Sequence, residues 1–307
     1  MGRWKFILGL ALLTAILIWL AVFDKADDKL HIIACDVGQG DAILTTLGSI
    51  QILVDGGPNN KVLDCLSGHM PFWDREIEVV LLTHPQKDHF GGLIDVFKSY
   101  KVENFVSSAL DSGSREYKVL KNLVGGSGAK IINPTYGSEI RLGVIRLDIL
   151  WPSEDFLVAN IISGNAEQIS SAGENYDGVL GAFTSKRDPN EFSLVAVLRF
   201  GNFDALLTGD IGPEVSGEIS QMLEVNSQKS IEYLKVPHHG SKNGLTGELL
   251  EASRPEIAVI SVGKNNSYGH PHEEVMSMLT QEKIRVLRTD QMGNVVILTD
   301  GRSWEVK

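Results

Sequence analysis

From residue 30 onward the chain alternates short apolar runs with amphipathic stretches. Residues 31–35, 42–46 and 50–54 are apolar runs divided by Gly-containing turns, which predicts three closely joined strands. Residues 79–83 are apolar and rich in β-branched side chains, predicting a strand buried on both faces, and 93–99 predicts the helix after it. Further strands are expected over 102–107, 130–133 and 144–150, with a helix over 114–124. Residues 193–200 and 203–207 predict a hairpin across Gly201-Asn202. A helix over 213–223 starts on Pro213, where a missing N–H costs nothing. Strands over 231–236, 257–262, 285–288, 295–299 and 303–306, with helices over 246–252 and 273–281, complete the pattern. Residues 151–190 are rich in Ser, Gly, Asn and acidic side chains without periodicity, which predicts a long surface excursion. Strands grouped in each half with interspersed helices predict an α/β fold of two packed sheets with helices outside.

The N-terminus follows a different rule. Arg3 and Lys5 precede an apolar run from Phe6 to Phe23, and Asp24, Asp27 and Asp28 follow it. Such a run sits at the lower edge of what spans a bilayer as a helix. It is longer than a signal-peptide core and no small-x-small cleavage site closes it, so a retained anchor is expected. Basic residues before the run and acidic residues after it place the N-terminus inside and the remainder outside the cytoplasm. The organisation expected is a signal anchor over 1–28 and one globular domain over 29–307.

Composition narrows the class. With 43% hydrophobic and 22% charged residues, the 307-residue chain has the balance of a globular protein. A formal charge of −11 argues against a broad basic surface for nucleic acid. It leaves room for a nuclease whose positive field comes from bound metal and a few lysines. Cys35 and Cys65 form no multi-cysteine framework; two buried thiols are expected, with a single disulfide as the alternative if the domain sits in an oxidising compartment.

The histidines carry the chemistry. Six of the eight fall in three clusters: His84 and His89 in Thr83-His84-Pro85-Gln86-Lys87-Asp88-His89, then His238-His239-Gly240-Ser241, then Gly269-His270-Pro271-His272. Each cluster begins just after an expected strand, where loops at one sheet edge converge. Asp210, in Thr208-Gly209-Asp210, also ends a strand. His and Asp together bind Zn²⁺, Mn²⁺ or Fe²⁺, and a hydrolase adds an open position for water. Asp55, in Asp55-Gly56-Gly57, is placed to accept the second N–H of a ligating imidazole.

These motifs resemble the metallo-β-lactamase superfamily, and within it the C-terminal metallo-hydrolase domain of the ComEC competence proteins. The resemblance runs from about Leu30 to the C-terminus. It takes in Asp36-Val37-Gly38-Gln39-Gly40-Asp41-Ala42, Asp55-Gly56-Gly57, His84 to His89 with Gly91-Gly92, Asn190 with Ser193, Thr208-Gly209-Asp210, both later His clusters and Arg288-Thr289-Asp290-Gln291. It implies an αββα four-layer sandwich with the metal site at one edge, preceded here by one transmembrane helix. Asp88 and His89 are implied to bind one metal, Asp210 to bridge, and His270 to complete the site. His238 or His239 is implied as a ligand or as the proton donor to the leaving oxygen.

Two departures from the superfamily pattern alter the metal expectation. Gln86 stands at the middle position of the usual His-x-His-x-Asp-His, and no histidine occurs between His89 and His238. The first metal site then keeps His84 as its main protein ligand. One firmly bound Zn²⁺ or Mn²⁺ is expected, with a second ion weak. Ser241, Lys242 and Asn265 are candidates to hold a phosphate, while Asp36 and Asp41 are expected to shape their Gly-rich turn. The resemblance implies a membrane-anchored phosphodiesterase or nuclease acting outside the cytoplasm, with single-stranded DNA as a candidate substrate, a link to DNA uptake and a separate channel protein as partner. The alternatives are hydrolysis of a cell-envelope ester or phosphoester, and a non-catalytic accessory role in which the domain binds an uptake or envelope partner.

Overall fold

The computed structural model describes residues 2–22, 28–164, 178–226 and 230–307. Its strands in chain order are β1 (Leu30–Ala34), β2 (Ile43–Leu47), β3 (Ile50–Val54), β4 (Glu76–Leu82), β5 (Lys101–Ser107), β6 (Lys130–Ile132), β7 (Glu139–Leu142), β8 (Ile145–Trp151), β9 (Ser163–Gly164) and β10 (Phe183–Thr184). The second half adds β11 (Val195–Phe200), β12 (Phe203–Leu207), β13 (Tyr233–Lys235), β14 (Ile257–Ile260), β15 (Arg285–Arg288), β16 (Val295–Thr299) and β17 (Trp304–Val306). One sheet runs β17-β16-β1-β2-β3-β4-β5-β6, the other β15-β14-β13-β12-β11-β8-β7, and β9 pairs with β10 as a small ribbon.

Three apolar clusters fix the layers. Ile32, Ile52, Val79, Leu147, Leu198 and Leu207 belong to the core between the two sheets. The outer face of the first sheet packs Leu53, Val80 and Phe105 against Leu66, Phe97 and Leu120 of its helices. The second sheet does the same with Leu206, Leu234 and Ile260 against Ile219, Leu249 and Leu279. The result is the expected αββα sandwich. Each fully buried Leu or Ile contributes roughly 1.5–3 kcal/mol relative to exposure.

Strand direction positions the chemistry. β3 and β4 are parallel, as are β12, β13 and β14, so their C-terminal ends gather at one edge of the sandwich. His84, Asp210 and the His238-His239 pair all lie just past those ends.

Several expectations change. Cys35 and Cys65 are bonded as a disulfide with Cα atoms 5.8 Å apart, so the two buried thiols are corrected. Cys65 lies on a helix over Lys61–His69 whose buried stripe is Val62, Cys65 and Leu66. That spacing of three and four is helical, but it is too brief to stand out in sequence. The supposed excursion after Trp151 is partly structured. Glu154–Asn160 is a helix capped by the Ser153 hydroxyl, and Leu157, Phe183 and Phe192 join Ala109 and Leu110 in a small fourth core. Residues 165–177 of that stretch lie outside the described residues.

Gly2–Val22 is a single α-helix, with Trp4, Phe6, Leu10 and Leu13 exposed. The last residue of the expected apolar run, Phe23, lies outside the described residues, as do residues 24–27. Among the described residues, no helix is long and apolar enough to cross a membrane.

Candidate metal centre

The loops at this edge interlock through their backbones. Asp41 N–H donates to Asp88 O (3.2 Å), Gly57 N–H to Asp41 O (2.7 Å) and Gly56 N–H to His89 O (2.6 Å). Glycine is required where they touch. A Cβ on Gly40 would lie 2.2 Å from Asp88 O, and one on Gly92 would lie 2.1 Å from Gly56 O. Asp55 takes a left-handed backbone (φ 60), which points its carboxylate inward.

Within this frame Asp88, His89, Asp210 and His239 each present one ligand atom, all within 4.8 Å of one another. His89 Nε2 and His239 Nε2 both stand 3.2 Å from Asp210 Oδ2, and His239 Nε2 is 3.5 Å from Asp88 Oδ2. These contacts are close but lack hydrogen-bond alignment, so both Nε2 atoms are buried without a partner. Buried polar atoms are ordinarily satisfied. Two imidazole nitrogens and two carboxylates converging on one point, unpaired by hydrogen bonds, fit a divalent cation, and the His/Asp donor set suits zinc or manganese.

The far sides of the imidazoles are held. His89 Nδ1 lies 2.8 Å from Asp55 Oδ2, and Asp55 also accepts from Thr83 N–H and Thr83 Oγ1–H at 2.8 Å each. His239 Nδ1 lies 3.0 Å from Ser261 O and 3.3 Å from Asp41 Oδ1. Such contacts set the tautomer that leaves Nε2 free to ligate.

Charge balance follows from burial. Burial alone would lower the pKa of His89, but Asp210 and Asp55 outweigh it and the imidazole rises well above its usual range. His239 rises likewise, with Asp210 and Asp41 overcoming desolvation. For Asp210, desolvation is overcome by His239, His89 and Lys235, and its pKa falls well below normal. The carboxylates and the imidazoles of the cluster thus hold one another in their charged forms. His84 behaves oppositely: burial, with His89 beside it, pushes it down to about 3.

The remaining candidates are spread around this centre. His84 is fully buried with its ring centroid 4.1 Å from that of His89, and its Nε2 has no hydrogen-bond partner. Gln86 turns aside, its Nε2 donating to Asn190 Oδ1 (2.9 Å). His238 and His239 are consecutive left-handed residues (φ 51 and 55), and this reversal sends the two rings different ways. His239 enters the cluster. His238 lines an adjoining cavity of about 330 Å³ with Asn190, Asp210, Glu214 and Asn243. His270 is 5.8 Å from His238 and 6.4 Å from His239 between ring centroids, with Nδ1 buried and unpaired. Ser241 is buried and its Oγ accepts from Asn243 N–H (3.3 Å), whereas Lys242 and Asn265 are exposed.

Two residues at the centre were not anticipated for it. Asp41 is buried against Lys235 and His239 rather than merely shaping a turn. Lys235, 1% exposed, looks in sequence like a strand-end surface lysine. Its place between apolar Leu234 and Val236 was the available signal.

No family model matches the chain. It is 29% identical over 222 residues to "ComE operon protein 3" of Bacillus subtilis, an alignment covering 72% of this chain and 24% of that protein. It is 26% identical over 269 residues to "Recombination protein 2" of Haemophilus influenzae, covering 85% and 28% respectively. A shorter match, 36% over 106 residues, is to "Competence protein ComA" of Neisseria gonorrhoeae, covering 34% and 15%. The chain thus spans about a quarter of the length of the first two relatives. Among solved structures, the metallo-β-lactamase fold protein YhfI of B. subtilis superposes with a TM-score of 0.53 at 11% identity, over 88% of this chain and all of that one. Tm1679, described as a metal-dependent hydrolase of the β-lactamase superfamily, gives 0.51 at 16% identity, over 84% and 95%. The chain has the metallo-β-lactamase fold, and its sequence is similar to part of ComE operon protein 3, Recombination protein 2 and Competence protein ComA.

Proposed function

We propose that this protein is a metal-dependent hydrolase that cleaves phosphodiesters, single-stranded DNA among them, on the outer side of the membrane. The observation that carries the reading is the convergence of Asp88, His89, Asp210 and His239 within 4.8 Å, with both Nε2 atoms unpaired. These four would hold one ion firmly, with His84 and His270 at its flanks and a second ion weaker. A bound divalent ion supplies Lewis-acid charge to a phosphoryl oxygen and lowers the pKa of a water. Asp55 and the Ser261 carbonyl keep the ligating imidazoles in orientation. His238, half-buried at the cavity wall beside Asp210, is the group placed to give a proton to a leaving oxygen. Ser241, Lys242 and Asn265 flank the His loops and are proposed to meet the substrate's phosphate.

The anchor belongs to the same proposal. Its support is in the sequence: the apolar run from Phe6 to Phe23, with Arg3 and Lys5 before it, sits at the lower edge of what spans a bilayer as a helix. The Cys35–Cys65 disulfide supports an oxidising compartment for the domain. A separate channel protein is the proposed partner in DNA uptake.

The test uses the full chain with Mn²⁺ or Zn²⁺, and Asp210→Ala beside it, on single-stranded DNA and bis-p-nitrophenyl phosphate. Metal-dependent cleavage lost in Asp210→Ala is expected. A folded, metal-loaded protein that turns over neither substrate refutes the phosphodiesterase reading. One observation favours a second reading: the cavity beside His238 carries Asp188, Glu191 and Glu214, and with Arg187 shared between the two glutamates its wall keeps a net negative charge that repels a polyanion. An envelope ester or phosphoester would then be the substrate, and DNA cleavage that disappears at low ionic strength points that way. Gln86, held by Asn190, is the motive for the accessory reading, which an absent phenotype for Asp210→Ala in cells would favour.

A further inference from the structure

Lys235 ends β13 with its side chain entirely inside the protein. Burying an ammonium is unfavourable unless its charge and all three N–H groups are satisfied. They are: Nζ donates to Gly209 O (2.7 Å), lies 3.3 Å from Asp210 Oδ1, and pairs in close contact with Asp41 Oδ2. A Leu or Met would fill such a strand position without any desolvation cost, so packing does not explain a lysine here.

The contacts divide the two oxygens of Asp210 between different cations. Oδ2 faces His89 and His239 at 3.2 Å each, whereas Oδ1 faces Lys235. Asp41 is likewise shared between Lys235 and His239. The centre holds the carboxylates of Asp41, Asp55, Asp88 and Asp210, and Lys235 is the permanent positive charge among them.

We infer that Lys235 is a positioning residue that acts as a built-in cation of the metal centre, occupying Asp210 Oδ1 and Asp41 so that Asp210 meets metal through Oδ2 alone and the site takes one divalent ion. This rests on the metal centre proposed above and gives it a second physical cause for single occupancy, separate from Gln86. A purely structural ion pair would affect stability and leave the number of bound ions unchanged.

The experiment counts Mn²⁺ on the full chain by equilibrium dialysis with elemental analysis, and records its electron paramagnetic resonance. It compares wild type, Lys235→Met, Lys235→Gln and the pair Lys235→Met with Asp41→Asn. Wild type should bind one ion with an uncoupled six-line spectrum. Lys235→Met or Lys235→Gln should take up a second ion at least about tenfold more tightly than wild type, a conservative figure for removing a unit charge a few ångströms from a divalent ion. The spectrum should then show coupling between two ions. Adding Asp41→Asn should return the count to one. If Lys235→Met does not fold, the neutral and polar Lys235→Gln carries the comparison. Wild type with one ion and neutral variants with unchanged count and affinity overturn the inference and leave the metal centre standing. A folded wild type that binds two ions equally also overturns it. A folded wild type that binds none removes the metal centre and the inference together.

Discussion

Asp55→Asn offers a test of whether the buried contacts around His89 set its metal-binding form. Asn is nearly isosteric with Asp and tolerates the left-handed backbone at this position, so neither packing nor φ is disturbed. What changes is hydrogen-bond polarity. Asp55 accepts three contacts of 2.8 Å, from Thr83 N–H, Thr83 Oγ1–H and His89 Nδ1. An amide has one accepting oxygen, and the fixed backbone N–H of Thr83 claims it. The amide NH₂ then faces His89 Nδ1, which must become an acceptor. The imidazole proton moves to Nε2, the atom aimed at Asp210 and the proposed cation. Loss of such an outer partner typically weakens metal binding 10–100-fold, about 1.4–2.7 kcal/mol, and reversal of the tautomer argues for the upper half of that range. The assay is competition for Zn²⁺ against a chelator of known affinity, with circular dichroism to show that the variant is folded. Thr83→Val serves as control, since it removes the hydroxyl contact and keeps the Asp55–His89 pair. A folded Asp55→Asn whose Zn²⁺ affinity stays within about threefold of wild type would refute the tautomer argument.

Other expected outcomes are narrower. His84 is held neutral by burial with its pKa near 3, below the ordinary 6.5, so the unfolded chain binds the extra proton. Its contribution is therefore fully present above about pH 6.5 and is lost as pH falls toward 3, at up to about 1.4 kcal/mol per unit; the raised His89 and His239 add stability over the same range, so urea unfolding of metal-free protein at pH 6.5 and 5.5 should show wild type losing more stability, or gaining less, than His84→Asn. Gly92→Ala puts a Cβ 2.1 Å from Gly56 O and 2.4 Å from Asn59 O, both backbone, and should cost about 1–3 kcal/mol. Gly125→Ala meets nothing within 4 Å on the exposed side of the Arg115–Ser127 helix and should add about 0.5–1 kcal/mol; equal melting temperatures for the two variants would contradict this contrast. Reducing the Cys35–Cys65 disulfide opens a crosslink between residues 30 apart in sequence and should cost about 3–4 kcal/mol. An unchanged denaturation midpoint in dithiothreitol would show that the crosslink contributes nothing.

Much of the fold was legible because local physics decided it. The apolar runs that became β3, β4, β11, β12 and β14 are short and bounded by Gly, Pro or Asp turns, and the ends of those strands marked where the His and Asp clusters would meet. Ligand types were legible too, because few side chains bind divalent ions, and they sit in recognisable clusters. Which atoms converge was not. His238 and His239 are neighbours with the same chemistry, and only two successive left-handed residues, fixed by the surrounding loops, send His239 to Asp210 and His238 to the cavity. Asp41 and Lys235 lie 194 positions apart, and their pairing exists because parallel strands of one sheet end against a Gly-rich loop of the other. The disulfide depends on the short Lys61–His69 helix turning Cys65 toward Cys35. Sequence by itself determined the elements and the chemical alphabet of the site, since these follow from periodicity and side-chain type. Tertiary structure alone decided partners, tautomers and charge balance, since burial and direction are properties of the packed edge and not of any segment.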